Sequence, residues 1–210
     1  MVRIISLEGN IGAGKTTILN ELTNNDNEKK IVYMREPVDL WEKIKDKEGE
    51  TILSKFYKDP NKYAFSFQIM AFTTRLSLLS ETIRNNPQAE VILCERSLEA
   101  DNNIFAKLLY EDGVLDEVTY KIYMEYFQNS IKAEYKLSGI IYINTKSDIC
   151  FERINKRNRE GESKITKEYL QKCDIKHKEW MLSTEIPVLE IESDFDKYKD
   201  EIYKYFNLSN

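Results

Sequence analysis

The sequence has little of several residue types that mark particular protein classes. Its 210 residues include only 7 Gly, 4 Pro, 3 Cys and 1 His. So little Gly and Pro excludes collagen-like and proline-rich chains, and 41% hydrophobic residues exclude a disordered chain. The single histidine, His177, makes a Ser-His-Asp triad or a histidine-rich metal site not credible. No apolar run approaches the roughly 20 residues of a membrane span, so we expect no membrane partner.

Charge and cysteine usage indicate the expected partners and compartment. The 31 basic and 36 acidic side chains give a net charge of −5, which offers no general attraction to a nucleic-acid backbone. Cys94, Cys150 and Cys173 are an odd number of widely separated cysteines, as is typical of reduced thiols. The first residues are strand-like and lack the pattern of a signal peptide. We therefore predict a cytoplasmic protein without a nucleic-acid partner.

Short β-branched runs alternate with segments of helical periodicity. The predicted strands are Ile4–Leu7, Ile31–Met34, Val91–Cys94, Ile140–Ile143 and Val188–Ile191. Strands that alternate with helices form a parallel sheet covered on both faces, because right-handed crossovers connect them. There is no internal repeat, low-complexity tract or linker. We therefore predict one three-layer α/β domain over residues 1–210, with a five-stranded parallel sheet.

Two long amphipathic helices are predicted, from about Asn61 to Arg84 and from about Asp116 to Lys132. The apolar stripe of the first consists of Phe65, Ile69, Phe72, Leu76, Leu79 and Ile83. The second carries Val118, Ile122, Tyr126 and Ile131. Both patterns predict core packing, and both would also suit a helical dimer interface. The sequence does not separate these two interpretations.

A phosphate-binding loop follows the first predicted strand. Gly9-Asn10-Ile11-Gly12-Ala13-Gly14-Lys15-Thr16 matches G-x-x-x-x-G-K-[ST] and precedes a helix-like run. Its glycines let backbone N–H groups surround a phosphate at the start of that helix. Lys15 is expected to reach the β- and γ-phosphates, and the Thr16 hydroxyl to ligate Mg²⁺.

Two short segments formally match GTPase motifs, namely Asp46-x-x-Gly49 and Thr145-x-x-Asp148. The lysine-rich stretch before Asp46 is not a buried strand. Ser147 or Asp148 is better placed to cap a following helix than to bind guanine. A GTPase is therefore the weaker prediction.

Charged residues follow the second and third predicted strands, where parallel sheets place ligand-binding groups. Glu36 could accept a proton from a hydroxyl that attacks ATP, although alone it also fits a surface turn before proline. Glu95 could hold Mg²⁺, and Arg96 could neutralise the transferring phosphoryl group. These positions suggest phosphoryl transfer to a hydroxyl.

Two more groups of polar residues lie on predicted helices. Gln68, Ala71 and Arg75 share a strip beside the apolar stripe of the first long helix. That strip would either bind the edge of a base or face solvent. A basic group further along the chain contains Arg153, Lys156, Arg157 and Arg159. It would either fold over ATP and stabilise charge or be a solvated helix face.

Together these segments resemble the deoxynucleoside kinase family over nearly the whole chain. The most specific matches besides the phosphate loop are Glu36-Pro-Val-x-x-Trp41, Phe65-x-Phe-Gln68 and Glu95-Arg-Ser97. The resemblance implies a P-loop kinase fold with an arginine-rich lid, and usually a homodimer. It also implies Mg²⁺-dependent transfer of the γ-phosphoryl group of ATP, or another NTP, to the 5′-hydroxyl of a deoxynucleoside for nucleotide salvage.

The resemblance also implies roles for individual residues. The catalytic residues it implies are Lys15, Glu36 as general base and Arg96, with Thr16 and Glu95 at the metal. The donor-binding residues are Gly9, Asn10, Gly12, Ala13, Gly14, Lys15, Thr16, Thr17, Arg153, Arg157, Arg159, Asp194 and Phe195. The acceptor-binding residues are Glu36, Trp41, Tyr57, Phe67, Gln68, Ala71, Arg75, Arg96, Asp101, Phe105 and Glu162.

Some of these positions bear on specificity. Tyr57 and Glu162 match the pair that binds the 3′-hydroxyl, although the residues between Arg159 and Glu162 depart from relatives. Ala71, Arg75 and Asp101 match the deoxycytidine and purine deoxynucleoside kinases. Thymidine is therefore expected to be the poorer substrate.

Two alternatives share the phosphate loop. A deoxynucleoside monophosphate kinase would need basic residues around its acceptor, whereas Glu36 near the attacking oxygen would repel a monophosphate. A kinase-like subunit without catalysis would show substitutions at Lys15, Glu36 or Arg96, and none is visible. A deoxynucleoside kinase is therefore the prediction.

Overall fold

The parallel sheet predicted from the sequence is present in the computed structural model, which describes residues 2–25, 31–159 and 161–207. Its strands are β1 (Arg3–Gly9), β2 (Ile31–Met34), β3 (Val91–Glu95), β4 (Leu137–Ile143) and β5 (Val188–Ile191). All strand pairings in this sheet are parallel, in the order β2-β3-β1-β4-β5. The α/β prediction is confirmed.

Helices cover both faces of the sheet. Within the described residues they are α1 (Lys15–Asn25), α2 (Val38–Trp41), α3 (Ile52–Lys58), α4 (Pro60–Asn85), α5 (Leu98–Ala100), α6 (Lys107–Glu111), α7 (Glu117–Ser130), α8 (Ser147–Arg157), α9 (Lys167–Ser183) and α10 (Phe195–Asn207). A π-helix, Asp101–Ala106, joins α5 to α6, and 3₁₀ turns lie at Ala133–Tyr135 and Glu162–Lys164. This double covering explains why β3 is buried at every position.

The topology brings three loops to one edge of the sheet. β3 lies between β1 and β2, whereas β4 pairs with the other side of β1. The chain therefore changes direction beside β1, and a crevice opens at the carboxyl ends of its strands. The phosphate loop after β1, Glu36 after β2 and the residues after β3 meet there.

Helix α4 has the predicted length but buries a different face. The Asp59 side chain caps its first turn by accepting a hydrogen bond from the backbone N–H of Lys62. Of the predicted apolar stripe, only Phe72 and Leu79 are buried, and Phe65, Ile69, Leu76 and Ile83 are half-buried.

The strip of Gln68 and Arg75 is buried instead, with exposed fractions of 2% and 1%. The interpretation as a solvent-facing strip is therefore wrong. The side of α4 that carries Gln68 and Arg75 is therefore buried although these side chains are polar, because it faces a cleft inside the protein.

Helix α7 also contradicts the simple prediction of core packing. Its buried residue is Tyr123, whereas Val118, Ile122 and Tyr126 are exposed. Phe72 of α4 contacts the rings of Tyr123 and Tyr126. The two helices therefore pack together and leave an apolar surface on α7 uncovered by the described residues.

Three smaller expectations have mixed outcomes. Helix α8 begins at Ser147 without a side-chain cap, and Asp148 pairs with Lys167 at 2.7 Å, so the predicted cap is wrong. All three cysteines are buried free thiols. In the described part of the chain, no helix combines the length and apolar character needed to cross a bilayer.

Candidate active site

The phosphate loop is held by hydrogen bonds from its own lysine and from distant side chains. Lys15 Nζ donates to the carbonyl oxygens of Gly9 and Asn10, both at 2.9 Å. Burial lowers the pKa of Lys15 to about 8. Gly12 has φ +80°, and a Cβ there would lie 2.6 Å from the Cys150 carbonyl oxygen, so a side chain is excluded.

The outer side of the loop is tied to the rest of the protein. Asn10 Nδ2 donates to the Leu170 carbonyl oxygen at 2.8 Å. The Ala13 carbonyl oxygen accepts from Thr145 Oγ1 and from Arg153 Nη1, each at 3.1 Å. The Asn10 side chain thus anchors the loop to α9.

Two oxygen atoms lie close together at the start of α1. Thr16 Oγ1 donates to Glu95 Oε1 at 2.5 Å, next to the first turn of the helix. A hydroxyl and a carboxylate are the oxygen ligands that Mg²⁺ accepts. No cluster of three or more His, Cys, Asp or Glu side chains suited to a metal occurs among the described residues.

Glu36 lies between two buried arginines. Its Oε1 accepts from Arg75 Nη2 at 3.0 Å and lies 3.4 Å from Arg96 Nε. Burial alone would raise the pKa of Glu36, but Arg75, Arg96 and Lys15 lower that pKa to about 2. The carboxylate is therefore ionised and remains partly open to the cleft.

Arg96 connects the phosphate loop to the pocket beside it. Its backbone has φ +68°, a conformation unusual for a residue with a side chain and often found at functional sites. Arg96 Nη2 donates to the Gly9 carbonyl oxygen at 3.2 Å. Its guanidinium lies 4.6 Å from the centre of the Phe105 ring.

A π-helix carries two pocket residues four positions apart, Asp101 and Phe105. Such wide turns occur mainly at functional sites. Asp101 accepts two hydrogen bonds from Arg75, at 2.9 Å to Nε and 3.2 Å to Nη2. Arg75 therefore pairs with Asp101, and the same guanidinium also reaches Glu36.

Aromatic rings enclose the far end of the cleft. Phe67 stacks on Phe56 with a centroid distance of 4.6 Å, and Trp41 meets Phe67 edge-on at 5.6 Å. Gln68 lines the cleft beside these rings, and its Oε1 has no hydrogen-bond partner among the described residues. A buried acceptor without a partner is costly unless a ligand supplies a donor.

A basic segment borders the cleft from the opposite side. Arg157 donates to both carboxylate oxygens of Glu162, at 2.7 and 2.8 Å from Nη2, and Arg159 Nη1 reaches the same group at 3.4 Å. Arg153 Nη2 donates to Ser193 Oγ at 3.0 Å. Arg157 and Arg159 therefore share Glu162 as a partner, whereas Arg153 contacts Ser193.

One cleft of about 570 Å³ brings most predicted site residues together. Those that line it are Gly12, Gly14, Lys15, Thr16, Thr17, Glu36, Trp41, Tyr57, Phe67, Gln68, Ala71, Arg75, Glu95, Arg96, Asp101, Phe105, Arg153, Arg157, Arg159, Glu162 and Phe195. Gly9, Asn10, Ala13 and Asp194 do not line it. Asp194 Oδ1 instead accepts from the Lys197 backbone N–H at the start of α10.

Sequence reasoning missed several residues of the site. Tyr169, Phe56 and Leu53 line the cleft but belong to no recognisable motif. Glu8 lies behind it, fully buried, and accepts from Ser97 Oγ at 2.6 Å. A charged residue inside an apolar strand, next to the phosphate loop, was the signal that would have identified Glu8.

Comparisons with known proteins agree with this geometry. The family model for deoxynucleoside kinase matches residues 5–208. A probable deoxycytidine kinase of fowlpox virus (strain NVSL) is 37% identical, over 98% of this chain and 85% of its own length. Human deoxycytidine kinase is 30% identical, over 97% of this chain and 89% of its own. The mitochondrial deoxyguanosine kinase of Xenopus laevis is 32% identical, over 93% and 83% respectively.

Proposed function

Because the chain belongs to the deoxynucleoside kinase family, we propose that it phosphorylates deoxycytidine and purine deoxynucleosides in preference to thymidine. The reaction of the family is ATP-dependent transfer of a phosphoryl group to a deoxynucleoside. The product in this proposal is the 5′-monophosphate, made for nucleotide salvage. The observation that carries the proposed preference is the buried pair of Arg75 and Asp101.

The preference follows from the chemistry at the base end of the cleft. Arg75 and Asp101 are 1% and 2% exposed, and their charges are satisfied by each other. A 5-methyl group placed against this pair would cover charged atoms without hydrogen bonding to them. Gln68 Oε1 suits a base N–H donor. A base without the methyl group therefore fits better.

In the proposed mechanism Glu36 orients the 5′-hydroxyl and accepts its proton. A carboxylate with a pKa of about 2 is a weak base in the resting protein. Phosphoryl transfer passes through a loose transition state, in which positioning and charge stabilisation matter more than early proton removal. Arg96, in contact with Glu36, is placed to stabilise charge on the transferring group.

Magnesium is part of the proposal, with Thr16 and Glu95 as the residues that would hold it. Their side-chain oxygens lie 2.5 Å apart beside the phosphate loop, and oxygen ligands suit this hard cation. When bound, Mg²⁺ would supply neutralisation of phosphate charge.

The donor is expected along the phosphate loop and under the arginines of α8. The backbone N–H groups at the start of α1 and Lys15 would bind the phosphates. Arg153 already contacts the loop at Ala13, and Arg157 and Arg159 face the same cleft. Phe195 lines its edge, where it would contact the donor base.

We also propose a homodimer formed through α4 and α7. Val118 and Ile122 are 68% and 53% exposed, and Tyr126 lies beside them. A second copy would cover this apolar surface by an isologous contact. Sedimentation should give about twice the chain mass for the unmodified protein and the chain mass for Ile122→Glu.

Steady-state phosphorylation with Mg-ATP tests the proposed function. The acceptors are deoxycytidine, deoxyadenosine, deoxyguanosine and thymidine, with the monophosphates of deoxycytidine and thymidine alongside. We expect a kcat/KM for deoxycytidine or a purine deoxynucleoside about tenfold or more above that for thymidine. An equal value for thymidine would overturn the base preference, and turnover of monophosphates alone would overturn the acceptor assignment.

A further inference from the structure

A glycine at the start of a 3₁₀ turn approaches helix α3 unusually closely. Gly161 has φ +84° and precedes Glu162. A Cβ on Gly161 would lie 2.8 Å from Ser54 Cα and 3.0 Å from Ser54 N. Those atoms are backbone of α3, so a side chain at position 161 would force the turn and the helix apart. Glycine satisfies both the left-handed backbone and the close approach.

The two elements that touch at Gly161 each carry a residue of the cleft. Tyr57 lies one turn beyond Ser54 on α3, and Glu162 directly follows Gly161. Burial raises the pKa of Tyr57, and Glu162 is the charge that raises it further by the largest amount. The contact between Gly161 and Ser54 therefore lies within three residues of both Tyr57 and Glu162 along the chain.

The Glu162 carboxylate is otherwise held from one side. It is 4% exposed, and among the described residues it accepts hydrogen bonds from Arg157 and Arg159, both on the same stretch of chain. Those arginines fix the carboxylate within its own segment but not relative to α3. The distance from Glu162 to Tyr57 depends on how the segment docks, and at Gly161 the segment lies too close to the α3 backbone to leave room for a Cβ.

We infer that Gly161 is a positioning residue for sugar specificity. Its contact with the Ser54 backbone sets the separation of Tyr57 and Glu162, and through that separation the preference for a sugar with a 3′-hydroxyl. This inference rests on the proposed function, together with the assignment of Tyr57 and Glu162 to that hydroxyl that the family resemblance implies. A displacement of about 1 Å at such a pair is enough to weaken recognition strongly.

The test compares Gly161→Ala with the unmodified protein. The substrates are the best deoxynucleoside found for the protein and its 2′,3′-dideoxy analogue, each with Mg-ATP. We expect the ratio of their kcat/KM values to fall about tenfold or more, because KM for the deoxynucleoside rises. The kcat/KM for the dideoxy analogue should stay within about twofold, since that analogue has no 3′-hydroxyl to recognise.

Two further variants separate the close approach from backbone strain. Gly49 has φ +85° and no described atom within 4 Å of a built Cβ, so Gly49→Ala matches the strain without the contact. We expect Gly49→Ala to leave the substrate ratio unchanged. Gly161→Asn tolerates a left-handed backbone better than alanine but still carries a Cβ. Gly161→Asn should lower the ratio of the two kcat/KM values as Gly161→Ala does. It takes the place of Gly161→Ala in the test if the alanine variant does not fold.

The outcomes distinguish this inference from the proposed function. Tyr57→Phe and Glu162→Gln should each lower the same ratio. Suppose that Tyr57→Phe and Glu162→Gln lower the ratio, but the Gly161 variants either leave it unchanged or lose activity on both substrates equally. The positioning role of Gly161 is then wrong, and the 3′-hydroxyl assignment stands. If neither Tyr57→Phe nor Glu162→Gln lowers it, the assignment itself is wrong and the inference fails with it.

Discussion

The cleft has two halves that are built in different ways: a donor half along the phosphate loop, proposed to bind ATP, and an acceptor half around Gln68 and Arg75, proposed to bind the deoxynucleoside. In the donor half, carbonyl oxygens of the phosphate loop accept hydrogen bonds within the protein: Lys15 and Arg96 both donate to that of Gly9, and Arg153 donates to that of Ala13. In the acceptor half, Gln68 Oε1 is buried without a described partner. The phosphate loop is thus held by hydrogen bonds within the protein, whereas Gln68 Oε1 in the acceptor half can accept a hydrogen bond from a base N–H.

The two halves meet at Glu36. Arg75, from the base end, and Arg96, from the phosphate end, both contact Glu36 Oε1. Arg75 also binds Asp101, so one guanidinium links the residue proposed to select the base with the residue proposed to accept the proton. This link makes the comparison between the halves testable.

The largest effect on activity is expected from a substitution of Arg75, the residue that links the two halves. Arg75→Gln should lower kcat for every deoxynucleoside by about 100-fold, because it removes charged hydrogen bonds to Glu36 and Asp101 worth roughly 1.5–3 kcal/mol each. Asp101→Asn keeps the Arg75 charge and should mainly change the ratio of kcat/KM between deoxycytidine and thymidine. Steady-state kinetics on both substrates measure these effects. A change in KM alone for Arg75→Gln would contradict the link.

A second effect concerns the wall behind the phosphate loop, where His177 is fully buried. Its Nδ1 donates to the Cys173 carbonyl oxygen at 2.7 Å, and burial lowers the pKa of His177 to about 3. In the unfolded chain the imidazole gains a proton below about pH 6.5, whereas the folded one stays neutral. Acidification therefore destabilises the fold through this residue, by about 2 kcal/mol between pH 7 and pH 5.

The measurement compares unfolding free energies of the unmodified protein and His177→Phe in urea at both pH values. Comparing the two chains matters because burial raises the pKa of Glu99 to about 7, so Glu99 stabilises the fold on acidification over part of the same range. The advantage of the unmodified protein over the variant should shrink by about 2 kcal/mol between pH 7 and pH 5. A difference that does not change with pH would show that His177 is not buried in the neutral form.

The smallest effect is expected in the donor half, on KM for ATP, from a substitution of Arg153. Arg153→Gln removes contacts to Ala13 and Ser193, so KM for ATP should rise about tenfold, as expected for the loss of a charged hydrogen bond. KM for the deoxynucleoside should change little. Lys156→Gln, which removes an exposed charge from the same helix, is the matched control. Equal effects of the two variants would mean that only net charge matters.

The same difference between the halves decides what could be predicted from the sequence. The phosphate loop of the donor half is one continuous motif after a strand, so the pattern predicts its position and its chemistry. The acceptor half collects residues from α2, α3, α4 and the π-helix. Helical geometry grouped Gln68, Ala71 and Arg75, and only the family resemblance joined them to the others. Helical periodicity predicted the length of α4 but assigned Phe65 and Ile69 to the core, because a period does not show which face borders a cleft. Tyr169 had no signal, since its role depends on how α9 packs.

The most direct test of the central claim is a single-turnover measurement on Glu36→Gln. Gln keeps the shape of the side chain but removes the proton acceptor and the charge between Arg75 and Arg96. We expect Mg-ATP and deoxycytidine to bind within a few-fold of the unmodified protein, while the phosphoryl-transfer step slows by at least about 100-fold. A transfer rate equal to that of the unmodified protein would contradict the assignment of Glu36 as the point where the two halves act together.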